Sequence, residues 1–175
     1  MTDAIKTDRT AVPPAAATAR GRRLGAVPAY GSHLPALAEM ILRTDGAILE
    51  LGGGLYSTPL LHAMGPPSGR LAVTIETDPA WRAMLFARFA GVLHVVSGHM
   101  PAVGMPAHWS VVLIDGPVAL RQPLLAALAD SATFLVCHDT LGADVYGWDF
   151  GGFRYRRDFR DVLPGTTVVS NEVEP

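Results

Sequence analysis

Short apolar segments alternate along this chain with longer segments whose apolar residues recur at helical spacing. Each short segment has five or six residues and is apolar nearly throughout, which is typical of parallel strands covered on both faces. The predicted helices include one capped by Ser32, a short one from Ser57, and one that begins at Asp78-Pro79. The predicted strands are 47–51, 71–75, 92–96, 109–114 and 132–137, and the first and last predicted helices are 32–43 and 118–129.

This alternation predicts an α/β fold, a three-layer Rossmann-like sandwich with a mostly parallel sheet. Residues 141–152 contain four glycines and are predicted to be a loop. Residues 153–159 and 166–170 are predicted to form a C-terminal antiparallel pair. We divide the chain into an N-terminal arm, residues 1–25, and a single domain, residues 26–175. The arm is basic and of low complexity, which predicts either disorder or a lid that orders over a substrate.

Composition narrows the expected partners. The 175 residues are 49% apolar, charged residues make up 17%, and the formal net charge is -2. Such a balance gives no bulk attraction to nucleic acid or to a membrane surface, so we expect a small-molecule substrate, no nucleic acid and no membrane partner. The lone cysteine, Cys137, lies in an apolar segment, which predicts a reduced, cytoplasmic protein.

Polar side chains follow the predicted strands at their carboxyl ends. Ligands of open parallel sheets bind at this edge, and five consecutive strands end there in a histidine or a carboxylate. The residues are Glu50, Glu76, His99, Asp115 and the pair His138-Asp139. We therefore place the functional site at this edge of the sheet.

The first strand runs into three glycines, Gly52, Gly53 and Gly54, and then into a helix, as in nucleotide-binding βα units. Glu50 would repel a dinucleotide pyrophosphate, but it suits a ligand with positive charge, such as S-adenosylmethionine with its ammonium and sulfonium groups. Glu76 follows Gly52 by 24 positions, a spacing typical of the carboxylate that binds ribose hydroxyls.

The motifs Glu-Leu-Gly-Gly-Gly-Leu-Tyr-Ser-Thr, Ile-Glu-Thr-Asp-Pro, Leu-Ile-Asp-Gly-Pro and Val-Cys-His-Asp-Thr together resemble class I S-adenosylmethionine-dependent methyltransferases. The resemblance is greatest to a small branch with Tyr-Ser-Thr after the glycine turn and His-Asp after strand five, and it covers roughly residues 30–140. It implies S-adenosyl-L-methionine as cofactor, with Gly98 and His99 beside the adenine. The cofactor-binding residues it implies are Glu50, Gly52, Gly53, Gly54, Tyr56, Ser57, Thr58, Glu76, Thr77, Gly98, His99 and Asp115.

Three residues are candidates for catalysis: Asp115, His138 and Asp139. We prefer His138 as general base because its unperturbed pKa is near neutrality. Some members of the superfamily hold Mg²⁺ at these strand ends, so the resemblance implies Asp115 and Asp139 as its ligands. The alternative is that His138-Asp139 only closes the strand and anchors the next loop.

The expected activity is methyl transfer to a small-molecule acceptor, at a hydroxyl oxygen. An alternative is a catalytically degenerate subunit that binds the nucleoside, and a third is an NAD-dependent oxidoreductase, against which Glu50 and the incomplete Gly-x-Gly-x-x-Gly motif both argue. We expect Trp148 and Phe150 to border the acceptor pocket. Arg154 and Arg156 either point outward from a terminal strand or form an anion-binding rim. A homodimer could complete the pocket of so short a chain.

Overall fold

The computed structural model describes residues 29–175, so the predicted N-terminal arm lies outside the described residues. One seven-stranded sheet has the order β3-β2-β1-β4-β5-β7-β6. Strands β1 to β5 are parallel, and β7 is antiparallel to both of its neighbours. The strands are β1 (Ile48–Leu51), β2 (Ala72–Ile75), β3 (His94–Ser97), β4 (Trp109–Ile114), β5 (Ala132–His138), β6 (Tyr155–Phe159) and β7 (Thr166–Ser170). The predicted α/β fold with an antiparallel C-terminal pair is confirmed.

Helices cover both faces of this sheet. The α-helices are α1 (Leu34–Leu42), α2 (Ser57–Met64), α3 (Pro79–Phe89), α4 (Val118–Leu128) and α5 (Ala143–Tyr146). Short 3₁₀ turns lie at Ala29–Gly31, Pro66–Ser68 and Thr140–Gly142. No helix among residues 29–175 is long and apolar enough to cross a membrane.

Two apolar cores flank the sheet, because successive strand residues point to opposite faces. On one face, Leu37 and Met40 of α1 and Leu61 of α2 pack on Ile48 and Leu113. The opposite core contains the neighbouring strand positions and Leu125 of α4, together with Trp148 and Phe150. The three-layer arrangement leaves the carboxyl ends of the parallel strands together at one edge of the sheet.

Several local predictions need correction. The helix predicted from Ser32 begins at Leu34, with His33 at the N-cap position and no side-chain cap. The loop predicted for residues 141–152 contains a 3₁₀ turn and the short helix α5. Trp148 and Phe150 do not border an acceptor pocket, because both are buried in the core and their rings stack 5.6 Å apart.

Candidate active site

The glycine turn brings the end of β1 against the end of β4. Gly52 has a φ of 97°, and a Cβ atom there would lie 2.6 Å from the backbone of Asp115 and Gly116. A Cβ on Gly53 would lie 2.6 Å from Leu85 and 2.8 Å from Thr74. Both positions therefore require glycine, one for its backbone conformation and both for space. The carboxyl ends of β1 and β4 therefore lie directly against each other.

A cleft of about 520 Å³ opens along this edge. Of the residues predicted to bind a cofactor, five line it: Gly52, Gly53, Glu76, Thr77 and Asp115. The Oε1 atom of Glu76 accepts a hydrogen bond from the backbone N–H of Asp78 at 2.7 Å, which fixes the carboxylate at the rim. Asp78 in turn accepts from the N–H of Trp81 at 2.8 Å, so its predicted role as the cap of α3 is confirmed.

Gly98 and His99 are not among the residues that line the cleft. Gly98 lies against the guanidinium group of Arg82, where a Cβ atom would have no room, and His99 is exposed. Arg82 donates a hydrogen bond to the backbone oxygen of Glu76 at 3.1 Å. The structure therefore brings the Gly98 turn next to the Glu76 turn through Arg82, while the role of Gly98 and His99 beside an adenine stays a prediction.

Glu50 lies beneath the glycine turn and is fully buried. Its Oε2 atom accepts hydrogen bonds of 2.7 Å from the hydroxyl groups of Thr58 and Thr74. Oε1 has no hydrogen-bond partner among the described residues. Burial raises the pKa of Glu50 to about 7, although the hydrogen bonds from Thr74 and Thr58 lower it in part. The buried carboxylate thus stabilises the glycine turn from the interior of the protein. Its contact with a cofactor stays a prediction.

Hydrogen bonds connect Glu50, through Thr74, to the histidine pair His94 and His62. Because the Thr74 hydroxyl donates its proton to Glu50, it accepts a hydrogen bond from Nε2 of His94 at 3.0 Å. The other ring nitrogen of His94, Nδ1, then accepts a hydrogen bond from Nδ1 of His62 at 3.1 Å. Burial, with a smaller contribution from the neighbouring His62, lowers the pKa of His94 to about 4, so the ring is neutral. Thr58, the other hydroxyl bonded to Glu50, accepts a hydrogen bond from the N–H of Gly54 at 3.0 Å. This bond connects the network to the glycine turn.

A second cavity, which we call the acceptor cavity, has a volume of about 440 Å³ and adjoins the cleft. The two share Gly53 and Asp115 in their walls. Three aromatic side chains line the acceptor cavity and are partly exposed: Tyr30 at 68%, Trp81 at 38% and Tyr56 at 36%. The Trp81 ring is oriented by a 2.8 Å hydrogen bond from Nε1 to the backbone oxygen of Gly53. The other residues that line the acceptor cavity are His33, Gly54, Leu55 and Ser57.

The three candidate catalytic residues meet as predicted, and Arg121 joins them. Nδ1 of His138 lies 2.9 Å from Oδ1 of Asp115. Arg121 of α4 donates to Asp115 at 3.1 Å and to Asp139 at 2.8 Å, so one guanidinium group bridges both carboxylates. Its side chain is 7% exposed. Asp139 itself has a φ of 60° and turns away from the strand immediately after His138.

This arrangement shifts the pKa values of His138 and His33 in opposite directions. Burial by itself lowers the pKa of His138, but the hydrogen bond to Asp115 and the charges of Asp115 and Asp139 outweigh it, so the pKa is raised. His33 is buried beside it, with ring centroids 4.6 Å apart. Burial lowers the pKa of His33 to about 4, and the adjacent His138 contributes in the same direction. His33 is therefore neutral, while His138 is stabilised as a cation.

The predicted magnesium site does not fit this geometry. Mg²⁺ needs oxygen ligands that face an open position, but Asp115 and Asp139 both direct oxygen atoms to Arg121. The guanidinium group supplies the positive charge that a cation between them would supply. We therefore assign no magnesium ion to this pair of carboxylates.

Sequence reasoning missed His33 and Arg121. Arg121 carried a signal, since it is the only charged residue of α4 and follows a strand that ends in aspartate. His33 carried none, because Ser32 before it was interpreted as a helix cap. On β6, Arg156 pairs with Asp158 at 2.9 Å and lies over the Phe150 ring, so this exposed arginine is engaged on the protein surface.

Comparison with known proteins shows similarity at the level of structure. No protein-family model matches the sequence, and no curated protein matches it. The N-terminal domain of human METTL16 superposes with a TM-score of 0.50 at 12% identity, over 87% of this chain and 73% of that chain. The 23S rRNA methyltransferase ErmE gives 0.49 at 16% identity, over 81% and 69%. The human methyltransferase 10 domain containing protein gives 0.47 at 12% identity, over 84% and 85%.

These comparisons and the strand order define the class of fold. The chain has the fold of class I S-adenosylmethionine-dependent methyltransferases, which confirms the fold that the sequence resemblance implies. At such low identity the similarity is one of fold, and the details of the motifs remain predictions.

The expectations of a small-molecule hydroxyl acceptor and of no nucleic-acid partner are wrong by the same comparison. The two solved structures that superpose with a TM-score of 0.50 are both of METTL16. The expectation rested on net charge, which averages over an uneven distribution: residues 1–28 contain five Lys or Arg and two Asp or Glu, so the excess of acidic residues lies in the rest of the chain. A local basic segment can attract a polyanion although the whole chain is slightly acidic.

Proposed function

We propose that this protein transfers a methyl group from S-adenosylmethionine to a nucleic acid. The observation that carries the proposal is the pair of adjoining spaces, a cleft over the glycine turn and an aromatic acceptor cavity, with Gly53 and Asp115 in the wall of both. Methyl transfer needs two substrates held in line at one boundary, and much of its rate comes from this positioning.

The residues of the cleft fit the cofactor. Its volume lies within the usual range for small-molecule sites, and it sits at the carboxyl ends of parallel strands. Glu76 presents a carboxylate whose Oε1 is held by a backbone N–H, which suits acceptance of hydrogen bonds from vicinal ribose hydroxyls. The side-chain-free surfaces of Gly52 and Gly53 allow a ligand to approach the backbone. Bound S-adenosylmethionine would supply an electrophilic methyl group at this edge.

The walls of the acceptor cavity suit a nucleobase. Tyr30, Tyr56 and Trp81 expose aromatic faces there, and flat aromatic side chains stabilise an unstacked base by stacking. His33 and Asp115 add an imidazole and a carboxylate to its lining, and they can orient polar groups at the edge of such a base. This combination of aromatic and polar side chains in one cavity favours a base over a sugar or a phosphate as the acceptor.

Charge near the cavity supports the same acceptor. Arg20, Arg22 and Arg23 precede Tyr30 by at most ten residues, and a chain segment of that length spans at most about 36 Å. Cations within that chain length of Tyr30 can contact phosphates of a strand whose base enters the cavity.

Transfer of labelled methyl groups tests the proposal. The full chain would be incubated with S-adenosylmethionine carrying a labelled methyl group, in parallel with RNA, DNA, protein and low-molecular-weight extract. We expect label in RNA or DNA that nuclease digestion releases. Tyr56→Ala should reduce the transfer, whereas Phe86→Ala, which removes a 59% exposed aromatic ring outside the lining of the acceptor cavity, should not. Cofactor binding without label in any nucleic acid would contradict the proposal and favour a binding subunit.

A further inference from the structure

Three potential metal ligands converge beside the acceptor cavity, and two of them, His33 and Asp115, line it. His33, Asp115 and His138 each offer a ligand atom, and these atoms lie within 4.8 Å of one another. They come from three separate parts of the chain: the residue before α1, the end of β4 and the end of β5. Metal ligands in proteins typically lie about 3 to 4 Å apart around an ion, so a small contraction would complete the site.

The imidazole of His33 is an independent sign of a missing partner. It is 1% exposed, and neither of its ring nitrogen atoms has a hydrogen-bond partner among residues 29–175. A buried polar group without a partner is costly, so a residue of this kind is normally satisfied by something bound. His33 lines the acceptor cavity next to Asp115, which places the unsatisfied ring where a ligand can reach it.

The ring of His138 is held by a hydrogen bond on its second nitrogen atom, as is typical of a metal-binding histidine. Its Nε2 atom lies 2.9 Å from the hydroxyl oxygen of Ser32. When Nε2 donates to Ser32, Nδ1 is left to face Asp115, and an ion between Nδ1 and the carboxylate would replace their direct 2.9 Å contact. Asp115 uses Oδ1 for both His138 and Arg121, and no described residue donates to Oδ2. One oxygen atom therefore remains for coordination.

We propose that His33, Asp115 and His138 bind a divalent transition-metal ion, with Zn²⁺ as the simplest candidate. Two imidazoles and one carboxylate form a donor set that suits Zn²⁺ or Fe²⁺ rather than Mg²⁺. Asp115 and Asp139 lie beside the single guanidinium group of Arg121, and His138 would coordinate an ion in its neutral form. His33 and Asp115 line the acceptor cavity, so an ion held by them would be within reach of water or an acceptor group there. The site does not depend on methyl transfer. It shares Asp115 with the excluded magnesium pair, but two imidazoles take the place of Asp139.

Metal titration of the chelator-treated full chain tests this inference. Zn²⁺ would be titrated by calorimetry, and Co²⁺ would be used as a spectroscopic probe whose visible absorption reports nitrogen and oxygen coordination. We expect one ion per chain, with affinity at least tenfold lower in His33→Asn. His108→Gln, which changes an exposed histidine outside the cluster, should leave the affinity unchanged.

Ser32→Ala distinguishes coordination from a structural effect of His33. This change keeps all three ligands and removes only the hydrogen bond to Nε2, so we expect it to lower the Zn²⁺ affinity about tenfold and to alter the Co²⁺ spectrum. Circular dichroism would establish that each variant is folded. Absence of stoichiometric binding by the unaltered chain, or equal binding by the unaltered chain, His33→Asn and Ser32→Ala, would overturn the inference.

Discussion

Asp115 and His138 come from neighbouring strands and meet at the edge of the sheet, where Nδ1 of the imidazole lies 2.9 Å from Oδ1 of the carboxylate. Residue 114 pairs with residue 137 in the parallel ladder, so the next residue of each strand emerges beside the other. The pair is thus a direct result of strand register, and Arg121 supports it from α4.

Arg121 should be essential for the stability of this edge. Arg121→Met removes the guanidinium group that bridges Asp115 and Asp139, leaving two partly buried carboxylates without their cation. We expect the free energy of unfolding to fall by about 3 kcal/mol, as for other buried ion pairs that lose one partner. Urea denaturation measures this loss. Arg160→Met is the matched control: its side chain is 63% exposed, so breaking its pair with Asp158 should cost less than about 1 kcal/mol. Equal losses in both variants would contradict this interpretation.

Glu50 should make the stability of the protein pH-dependent. Its pKa is raised from 4.5 to about 7 in the folded state, so the folded protein binds this proton more tightly than the unfolded chain does. The resulting stabilisation is fully present below the unfolded pKa and is lost as the pH rises through about 7. The loss amounts to about 3 kcal/mol.

Glu50→Gln tests this dependence because glutamine keeps the shape and an accepting oxygen but does not titrate. We expect its unfolding free energy to vary less with pH than that of the unaltered chain between pH 4.5 and pH 7, and the variant to be the more stable protein at pH 8. Melting curves across this range provide the comparison. Parallel pH profiles for the two proteins would show that Glu50 titrates normally.

Gly52 should be required for the shape of the cofactor cleft. In Gly52→Ala the new methyl group would lie 2.6 Å from the backbone of Asp115, and this atom cannot move without separating β1 from β4. We expect binding of S-adenosylhomocysteine, measured by calorimetry, to weaken at least tenfold. Gly69→Ala is the control, since Gly69 also has a positive φ, 80°, but a Cβ there meets no atom within 4 Å. Equal effects of both changes on ligand binding would mean that backbone strain alone is responsible.

Sequence patterns predicted the layers and the polar strand ends because both depend on local periodicity. The continuous apolar segments of β1 and β4 indicated a sheet covered on two faces. Glu76 and Asp115, each directly after a strand, lie in the cleft at the edge of the sheet. The pattern could not show that Glu50 points into the interior, because its hydrogen bond to Thr74 depends on the register of β1 with β2.

The same limit applies to the contacts that complete the site. Ser32 and His138 are separated by 106 residues, and only the packing of α1 against the sheet brings them to 2.9 Å. The sequence interpretation of Ser32 as a helix cap considered its neighbours in the chain, which is why it missed this bond. Trp148 and Phe150 were misplaced for the converse reason: an aromatic residue in a glycine-rich segment indicates a surface loop unless the core beneath is known.

Binding of S-adenosylhomocysteine to the unaltered chain and to Glu76→Gln, measured by isothermal titration calorimetry, tests the central claim most directly. The cleft predicts saturable binding of one ligand per chain and at least tenfold weaker binding by Glu76→Gln, because the charged carboxylate at its rim binds ribose hydroxyls more strongly than an amide does. Glu174→Gln, an exposed carboxylate outside the lining of the cleft, should bind like the unaltered chain. No binding by the unaltered chain, or equal binding by all three proteins, would contradict the placement of the cofactor at this edge of the sheet.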